Sequence, residues 1–448
     1  MNTPIVDFVR AYAEKEGARF HMPGHKGRSF LGCEPWDLTE VEGADVLYHP
    51  EGVIAESEEN ATRLFRSEHT FYSAEGSTLC IKAMLALAVR GKGERPWILA
   101  GRNAHRALIA AAALLDLRIR WIGVPSRVGS ICRADVSAEE VRRTLAEMEE
   151  TPVAVYLTSP DYLGNLTQLA PIAEVCREAD LPLLVDNAHG AYLKFLEPSL
   201  HPLDMGATMC CDSAHKTLPV LTGGAYLHVS RGCVDYAEGA REMLSLFAST
   251  SPSYLILQSL DACNRYLSAD YRSRLCACVQ SVEDARRFLR QGGIPVENSE
   301  PLKLVIKPRA VGYTGVELAK ILREHRIEAE YADEEYLVLM VTPENREEDT
   351  ERLCSVLLSL PKWPSLETEE EREALSLPKT AEGIREAMLS LREWIPVKEA
   401  EGRIAATLTG SCPPAIPIAV SGDRITGDHL SLLMRYGIDR ISVCREKE

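Results

Sequence analysis

The chain has 448 residues and no CxxC pair, and its 13 cysteines are odd in number. Neither a disulfide framework nor a zinc site follows from that spacing. The only close groups, Cys210-Cys211 and Cys276-Ala277-Cys278, read as small apolar core residues, so no metal is expected. No apolar run approaches the roughly 20 residues needed to cross a bilayer, so no membrane span is expected. The N-terminal MNTPIVDFVRAYAEKEG lacks a basic segment followed by an apolar one, and reads as a short amphipathic helix, not a signal peptide. Basic residues are the minority: 50 Lys and Arg face 66 Asp and Glu, a net charge of −16. No basic stripe stands out to neutralise phosphates, which argues against a nucleic-acid partner. Internal repeats and low-complexity tracts are absent. What remains is a cytoplasmic, reducing-compartment protein, 46% hydrophobic and long enough for two or three packed units.

From about residue 75 apolar strands alternate with helices. Trp97-Ile98-Leu99-Ala100, Ile119 to Val124, Val153 to Leu157, Leu181 to Val185, Ala207 to Cys211 and Ala225 to Val229 read as strands. His105 to Leu117, Ala138 to Glu150 and Leu169 to Ala179 read as helices, the second with Ser137 and Glu140 spaced as a capping box. The alternation predicts an α/β fold with a mainly parallel sheet covered on both faces. Ligands of such sheets collect at the carboxyl ends of the strands. After about residue 290 the pattern changes to a smaller α+β unit. A charged connector, KWPSLETEEEREALSLPKT, follows, whose Glu369 to Glu373 run reads as a solvated face. The division is an N-terminal arm and entrance segment over 1–60, a large domain over 61–290 and a C-terminal α+β region over 291–448.

Two stretches put a histidine before a lysine: HMPGHKG at residues 21–27 and DSAHKT at 212–217. The first is a Pro-Gly turn, and Gly24-His25-Lys26-Gly27 lacks the GxxxxGK spacing of a P-loop. The second follows a strand. Thirty residues earlier, in LPLLVDNAHGAY, another apolar strand ends at Asp186, with His189 three residues on. A lysine and an aspartate on neighbouring strand tips suit pyridoxal 5'-phosphate. The amine bonds to the cofactor's carbonyl carbon, and the carboxylate keeps the ring nitrogen protonated so that the ring accepts electrons. Gly76-Ser77-Thr78, opening a strongly helical run, offers backbone room, hydroxyls and a helix N-terminus for a phosphate. His105 in GRNAHRAL follows the next strand and could stack on the ring.

The chain resembles the short form of the ornithine/lysine/arginine decarboxylase family, fold type I of the pyridoxal-phosphate enzymes. FHMPGHKG, YHPEGVIAESEENATRLF, EGST, RNAHRAL, TSPDYLGN, DNAHGAYL, SAHKTLPVLTGGAYLHV, STSPSY and CPPAIP carry the likeness nearly end to end. It implies an aspartate-aminotransferase-like large domain, with the family's C-terminal domain from about residue 365. It implies Lys216 as covalent anchor, Asp186 on the ring nitrogen, and His105 and Ala188 on the two ring faces, with His189 also at the cofactor. It further implies Ser77, Thr78, Ser213 and His215 at the phosphate. Thr250 and Ser251 would reach that phosphate from the other subunit, so a homodimer or larger homo-oligomer with shared sites is expected. HMPGHKG would then be an arm near the entrance.

The implied activity is loss of carbon dioxide from a basic amino acid, lysine, ornithine or arginine, as in polyamine synthesis. Tyr48, His49 and Asp423 are the candidate substrate residues. The chain departs from the family where substrate contacts are expected. It reads Pro413-Pro414-Ala415 and Ser421-Gly422-Asp423 in place of Pro-Pro-Gly and Pro-Gly-Glu, and Gly223-Gly224 where a glutamine is expected. Another pyridoxal-phosphate reaction, such as aminotransfer or lyase chemistry, and a non-catalytic relative are the competing readings.

Overall fold

In the computed structural model, residues 1–15, 17–123, 135–366, 380–409 and 417–446 are described. The chain begins with α1 (Pro4–Glu14), whose proline needs no amide partner in the first turn and whose Ile5, Val6 and Val9 are buried. α2 (Val53–Phe65) buries Ile54, Ala61 and Phe65. Both helices share one apolar cluster with residues of the later sheet and helices, so the division drawn at 60/61 runs through α2 and through a continuous core.

The main sheet then forms in sequence: β1 (His69–Ser73), α3 (Gly76–Val89), β2 (Trp97–Gly101), α4 (Arg106–Leu115), β3 (Arg118–Ile122), α5 (Ala138–Glu147), β4 (Ala154–Thr158), α6 (Leu169–Glu178), β5 (Leu183–Asp186), β6 (Met209–Asp212), the one-turn α7 (Ala214–Thr217) and β7 (Ala225–Val229). Seven strands run in the order β1-β7-β6-β5-β4-β2-β3. The neighbours from β6 to β3 pair in parallel, and β7 alone is reversed, antiparallel to both β6 and β1. Successive strand residues point to opposite faces. Ile98, Ala100, Tyr156 and Leu184 therefore pack against α3 and α4, while Leu99, Val155, Leu157 and Val185 pack against α5 and α6. Burial on both sides makes these strands continuous apolar runs. At α5, Ser137 caps the helix through Glu140 N at 3.1 Å, but the Glu140 carboxylate takes Gly123 N, so only half of the expected capping box forms.

α8 (Val234–Phe247), α9 (Tyr254–Ser268) and α10 (Tyr271–Gln291) lead out of the large unit. A second, three-stranded sheet is built from β8 (Lys303–Ile306), β9 (Tyr331–Ala332) and β10 (Leu337–Met340), flanked by α11 (Gly315–Glu324) and α12 (Glu347–Ser359). Last come α13 (Ile384–Leu389), β11 (Arg392–Pro396), α14 (Gly427–Arg435) and β12 (Arg440–Cys444), with β11 and β12 paired antiparallel. The Glu369–Glu373 run and Pro413-Pro414-Ala415 lie outside the described residues. No helix among the described residues is long and apolar enough to cross a membrane.

Candidate active site

The carboxyl ends of β1, β2, β4, β5 and β6 share one edge of the sheet because those strands run in one direction. Every expected cofactor residue of the large unit except Thr250 and Ser251 follows one of these ends. Lys216 is on α7, one turn beyond β6, and its Nζ lies 2.9 Å from His189 Nε2. Asp186 ends β5 and is 2% exposed. It accepts hydrogen bonds from Ala188 N at 3.2 Å and, at a longer 3.4 Å, from Tyr156 OH, with the Cys211 thiol at 3.8 Å. Among the described residues it forms no ion pair. A buried carboxylate without a cation is costly, so this one is suited to a cationic atom brought by a ligand.

His105 is the N-cap of α4, and its Nδ1 accepts from Ala107 N at 3.2 Å. That bond leaves the ring proton on Nε2. Burial lowers the His105 pKa; Lys216 and Arg106 add to the effect and Asp186 opposes it. His189 is held well below the ordinary histidine range by burial, with Lys303, Lys216, His105 and His215 acting in the same direction. His215 is lowered too, chiefly by burial, and its Nδ1 lies 3.0 Å from Gly224 O. The three imidazoles around Lys216 are neutral at neutral pH.

The phosphate candidates converge as well. Ser213 Oγ donates to Ser77 Oγ at 2.8 Å, joining the tip of β6 to the start of α3, where half-buried Thr78 follows. Gly76 opens that helix with φ +70°, and a Cβ there would meet open space. Its amide donates to Gly223 O at 2.7 Å. Gly223 itself has φ +98°, and a side chain would press on Ala74 O, which accounts for glycine at this turn. Thr250 and Ser251 are exposed, in the turn between α8 and α9. The neighbouring Ser249 amide donates to Glu75 at 2.7 Å, so the segment lies beside the Gly76 turn of its own chain.

The candidate substrate residues divide. Tyr48 is half-buried, and its hydroxyl pKa is raised by burial and by Glu75, Cys80 and Glu58, which sets it near the α3 start. His49 is exposed. Asp423 has a different partner. It is 3% exposed, pairs with the fully buried Arg102 at 3.4 Å and accepts Val420 N at 2.9 Å. Its charge is matched inside the chain, because Arg102 follows β2 and reaches across to the C-terminal unit. Lys26, in the other His-Lys pair, is exposed with φ 56° and donates to His21 O.

Sequence reading missed four features. β1 was not recognised. Arg102 stacks 4.9 Å from the Trp121 ring while paired to Asp423. Tyr162 sets its ring edge-on to His189 at 5.2 Å, a contact between separate strand tips. Behind β6, Asp212 accepts from His201 and His228, each at 3.1 Å, and from Asn187 at 2.6 Å. The two histidines outweigh the burial of Asp212 and hold its pKa far below the usual range. His201, Cys210 and Asp212 bring ligand-type atoms together, but the hydrogen bonds from His201 and His228 already occupy the carboxylate.

Comparison with known proteins gives one consistent result. Residues 3–309 match the model for the Orn/Lys/Arg decarboxylase major domain, and residues 369–436 match that family's C-terminal domain. The arginine decarboxylase of Bacillus subtilis is 29% identical over 97% of this chain and 93% of its own length. That of Halalkalibacterium halodurans is 30% identical over 96% and 92%. Among solved structures, the lysine decarboxylase of Francisella novicida superposes with a TM-score of 0.83 at 18% identity, covering 99% of this chain and 81% of that one. At that identity the likeness speaks for the fold.

Proposed function

Since the chain belongs to the Orn/Lys/Arg decarboxylase family, whose members depend on pyridoxal phosphate, we propose that its substrate is arginine and its cofactor anchor Lys216. It is a decarboxylase of basic amino acids, a carboxy-lyase. The net reaction consumes the amino acid and one proton and yields the amine and carbon dioxide. Likeness to arginine decarboxylases over nearly the full length of both chains favours arginine over lysine and ornithine.

One observation carries the cofactor reading: the buried Asp186 carboxylate forms no ion pair among the described residues, and His105, with its lowered pKa, lies near both it and Lys216. The residues fit the cofactor. Paired serine hydroxyls and an open glycine turn at the start of a helix suit a phosphate. A neutral imidazole suits a ring face, because it adds no charge against the ring's own. Pyridoxal 5'-phosphate, when bound, supplies a carbonyl that captures the substrate's amine and a ring that takes up the electron pair left as carbon dioxide departs.

The chain's own residues would do the rest. Lys216 gives the anchoring amine. Asp186 holds a proton on the ring nitrogen, and its burial makes that charge pair strong. His105 and Ala188 line the ring faces; Ser77, Thr78, Ser213 and His215 hold the phosphate. Lys216 or a nearby histidine would return a proton to the substrate's α-carbon. Tyr48 and His49 belong to the entrance in this reading. We further propose a homodimer in which Thr250 and Ser251 complete the partner's site. Their exposure supports it, as do Phe20 at 95%, Phe30 at 78% and Leu31 at 89% exposed on the N-terminal arm.

The test is an absorbance scan of the purified chain with pyridoxal 5'-phosphate, then carbon dioxide release from arginine, lysine and ornithine supplied separately. The expected result is a visible band, lost in Lys216→Ala, with arginine as the best substrate. Carbon dioxide from lysine or ornithine in preference would reassign the substrate. A band that survives Lys216→Ala would overturn the anchor.

A further inference from the structure

Lys216 does not face solvent alone. The nearest imidazole atom to its Nζ is His189 Nε2, at 2.9 Å. His189 is 6% exposed, and its other nitrogen, Nδ1, is buried and has no hydrogen-bond partner among the described residues. Neutral imidazole has one N–H and one lone pair, while an alkylamine is rich in donors. Against Lys216 in its ammonium form, which can only donate, the lone pair lies on Nε2 and the proton on Nδ1. An unpaired buried N–H is expensive, and a chain that keeps one has a reason to keep the ring in that orientation.

The ring is also held from behind. Tyr162 meets it edge-on, with centroids 5.2 Å apart and planes at 68°. The Tyr162 hydroxyl is fixed in turn to Glu330 at 2.7 Å, on the small unit. Lys303 reaches the same place from β8: 1% exposed, it pairs with Glu300 at 2.9 Å and donates to Asp161 O at 3.2 Å. Burial first, then the Lys303 and Lys216 ammonium groups, oppose a proton on this imidazole, and His105 and His215 act in the same direction should either take a proton. Among these groups His189 can only accept from the lysine.

We propose that His189 is a positioning residue for Lys216, its neutral imidazole accepting a hydrogen bond from the amine and holding the lysine at the tip of β5 whenever that amine is not covalently engaged. The proposal rests on the reading of Lys216 as the anchor. A free lysine has four rotatable bonds and loses much entropy when held. One fixed acceptor keeps the released amine close to its point of return, which raises its effective concentration there. Packing alone would ask only for a ring against Tyr162, and phenylalanine would serve. The lone pair is what phenylalanine lacks.

Two variants of the full-length chain separate the roles. His189→Phe keeps a ring on Tyr162 and removes the acceptor. His189→Gln removes the ring and keeps an acceptor at similar reach. Asp186, His105, His215, Lys303, Tyr162, Glu300 and Asp161, titratable groups around the pair, are unchanged in both. Trace acetylation with acetic anhydride across pH, read by peptide mass spectrometry, gives the titration midpoint of Lys216, with exposed Lys26 as internal reference. A neutral acceptor stabilises the ammonium more than the amine. His189→Phe should therefore lower the Lys216 midpoint by about half a pH unit or more, and His189→Gln should stay near wild type. Trapping of pyridoxal 5'-phosphate on Lys216 with borohydride should slow by about tenfold in His189→Phe and far less in His189→Gln. An unchanged midpoint in His189→Phe, or a Gln variant that behaves like Phe, overturns the proposal. If the midpoint shifts as expected but wild type never traps the cofactor on Lys216, the positioning contact stands and the anchor reading fails.

Discussion

Lys26 and Lys216 each follow a histidine, yet they are placed very differently. Lys26 lies exposed on an N-terminal turn, with a backbone carbonyl as its partner. His25 beside it pairs with Asp37 at 3.2 Å. Lys216 sits half-buried one turn beyond a central strand, among three imidazoles that burial keeps neutral and near the buried Asp186 carboxylate, which forms no ion pair among the described residues. The dipeptide is the same in both places. What differs is the low-dielectric surround, which strengthens every charge interaction and favours uncharged forms. Reactivity here is a property of the strand tips, with the lysine as one participant.

The comparison breaks most visibly at the lysines themselves. Lys216→Ala should abolish carbon dioxide release, by on the order of 10³-fold or more, and remove the cofactor band. Lys26→Ala, measured beside it, should keep the band and most of the activity. Next in size, Asp186→Asn should leave cofactor bound while turnover falls by about 10²- to 10³-fold, the scale of one lost electrostatic partner. Near-normal turnover in that variant would remove Asp186 from the electron-sink role.

Smaller effects test what holds the site together. Asp423→Asn leaves Arg102 buried and uncompensated, at a cost of about 3 kcal/mol, read as a shift of the urea midpoint. If Asp423 instead served the substrate, the loss would appear in KM with stability unchanged. The mildest test is pH. His105, His189 and His228 all have pKa values lowered by burial in the folded chain. The unfolded chain binds protons there that the folded chain refuses, starting near the ordinary value of about 6.5. Stability is therefore full above that pH and falls as pH drops through it. The melting temperature should hold between pH 7 and 8 and decline steadily below about 6.5.

Much of this arrangement was legible before any coordinates. The apolar runs around Leu99, Val155 and Leu184 are long enough and bounded well enough to read as buried strands, and β2 to β7 each lie within a residue or two of their expected limits. Asp186 and Lys216 stand out in the sequence because strand ends in parallel sheets collect ligands, a rule that needs only local pattern and order. β1 escaped because His69–Ser73 is a short, partly polar stretch whose identity as a strand comes from pairing with β7, far away in sequence. Arg102 escaped because an arginine after a strand normally reads as solvent-exposed, and only the C-terminal unit folding back over β2 buries it against Trp121 and Asp423.

The sequence by itself determined the family, the alternation of strands and helices, and the tips on which a lysine, an aspartate and a serine pair would stand. Hydrophobic period and chain order are local properties, and they survive in one dimension. Only the tertiary structure decided the partners: Asp423 to Arg102, Asp212 to two histidines, and the Lys216 amine to His189. Those pairings join residues tens to hundreds of positions apart, and each is fixed by the need to satisfy a buried charge or donor. That need arises only once the core has closed and water is gone.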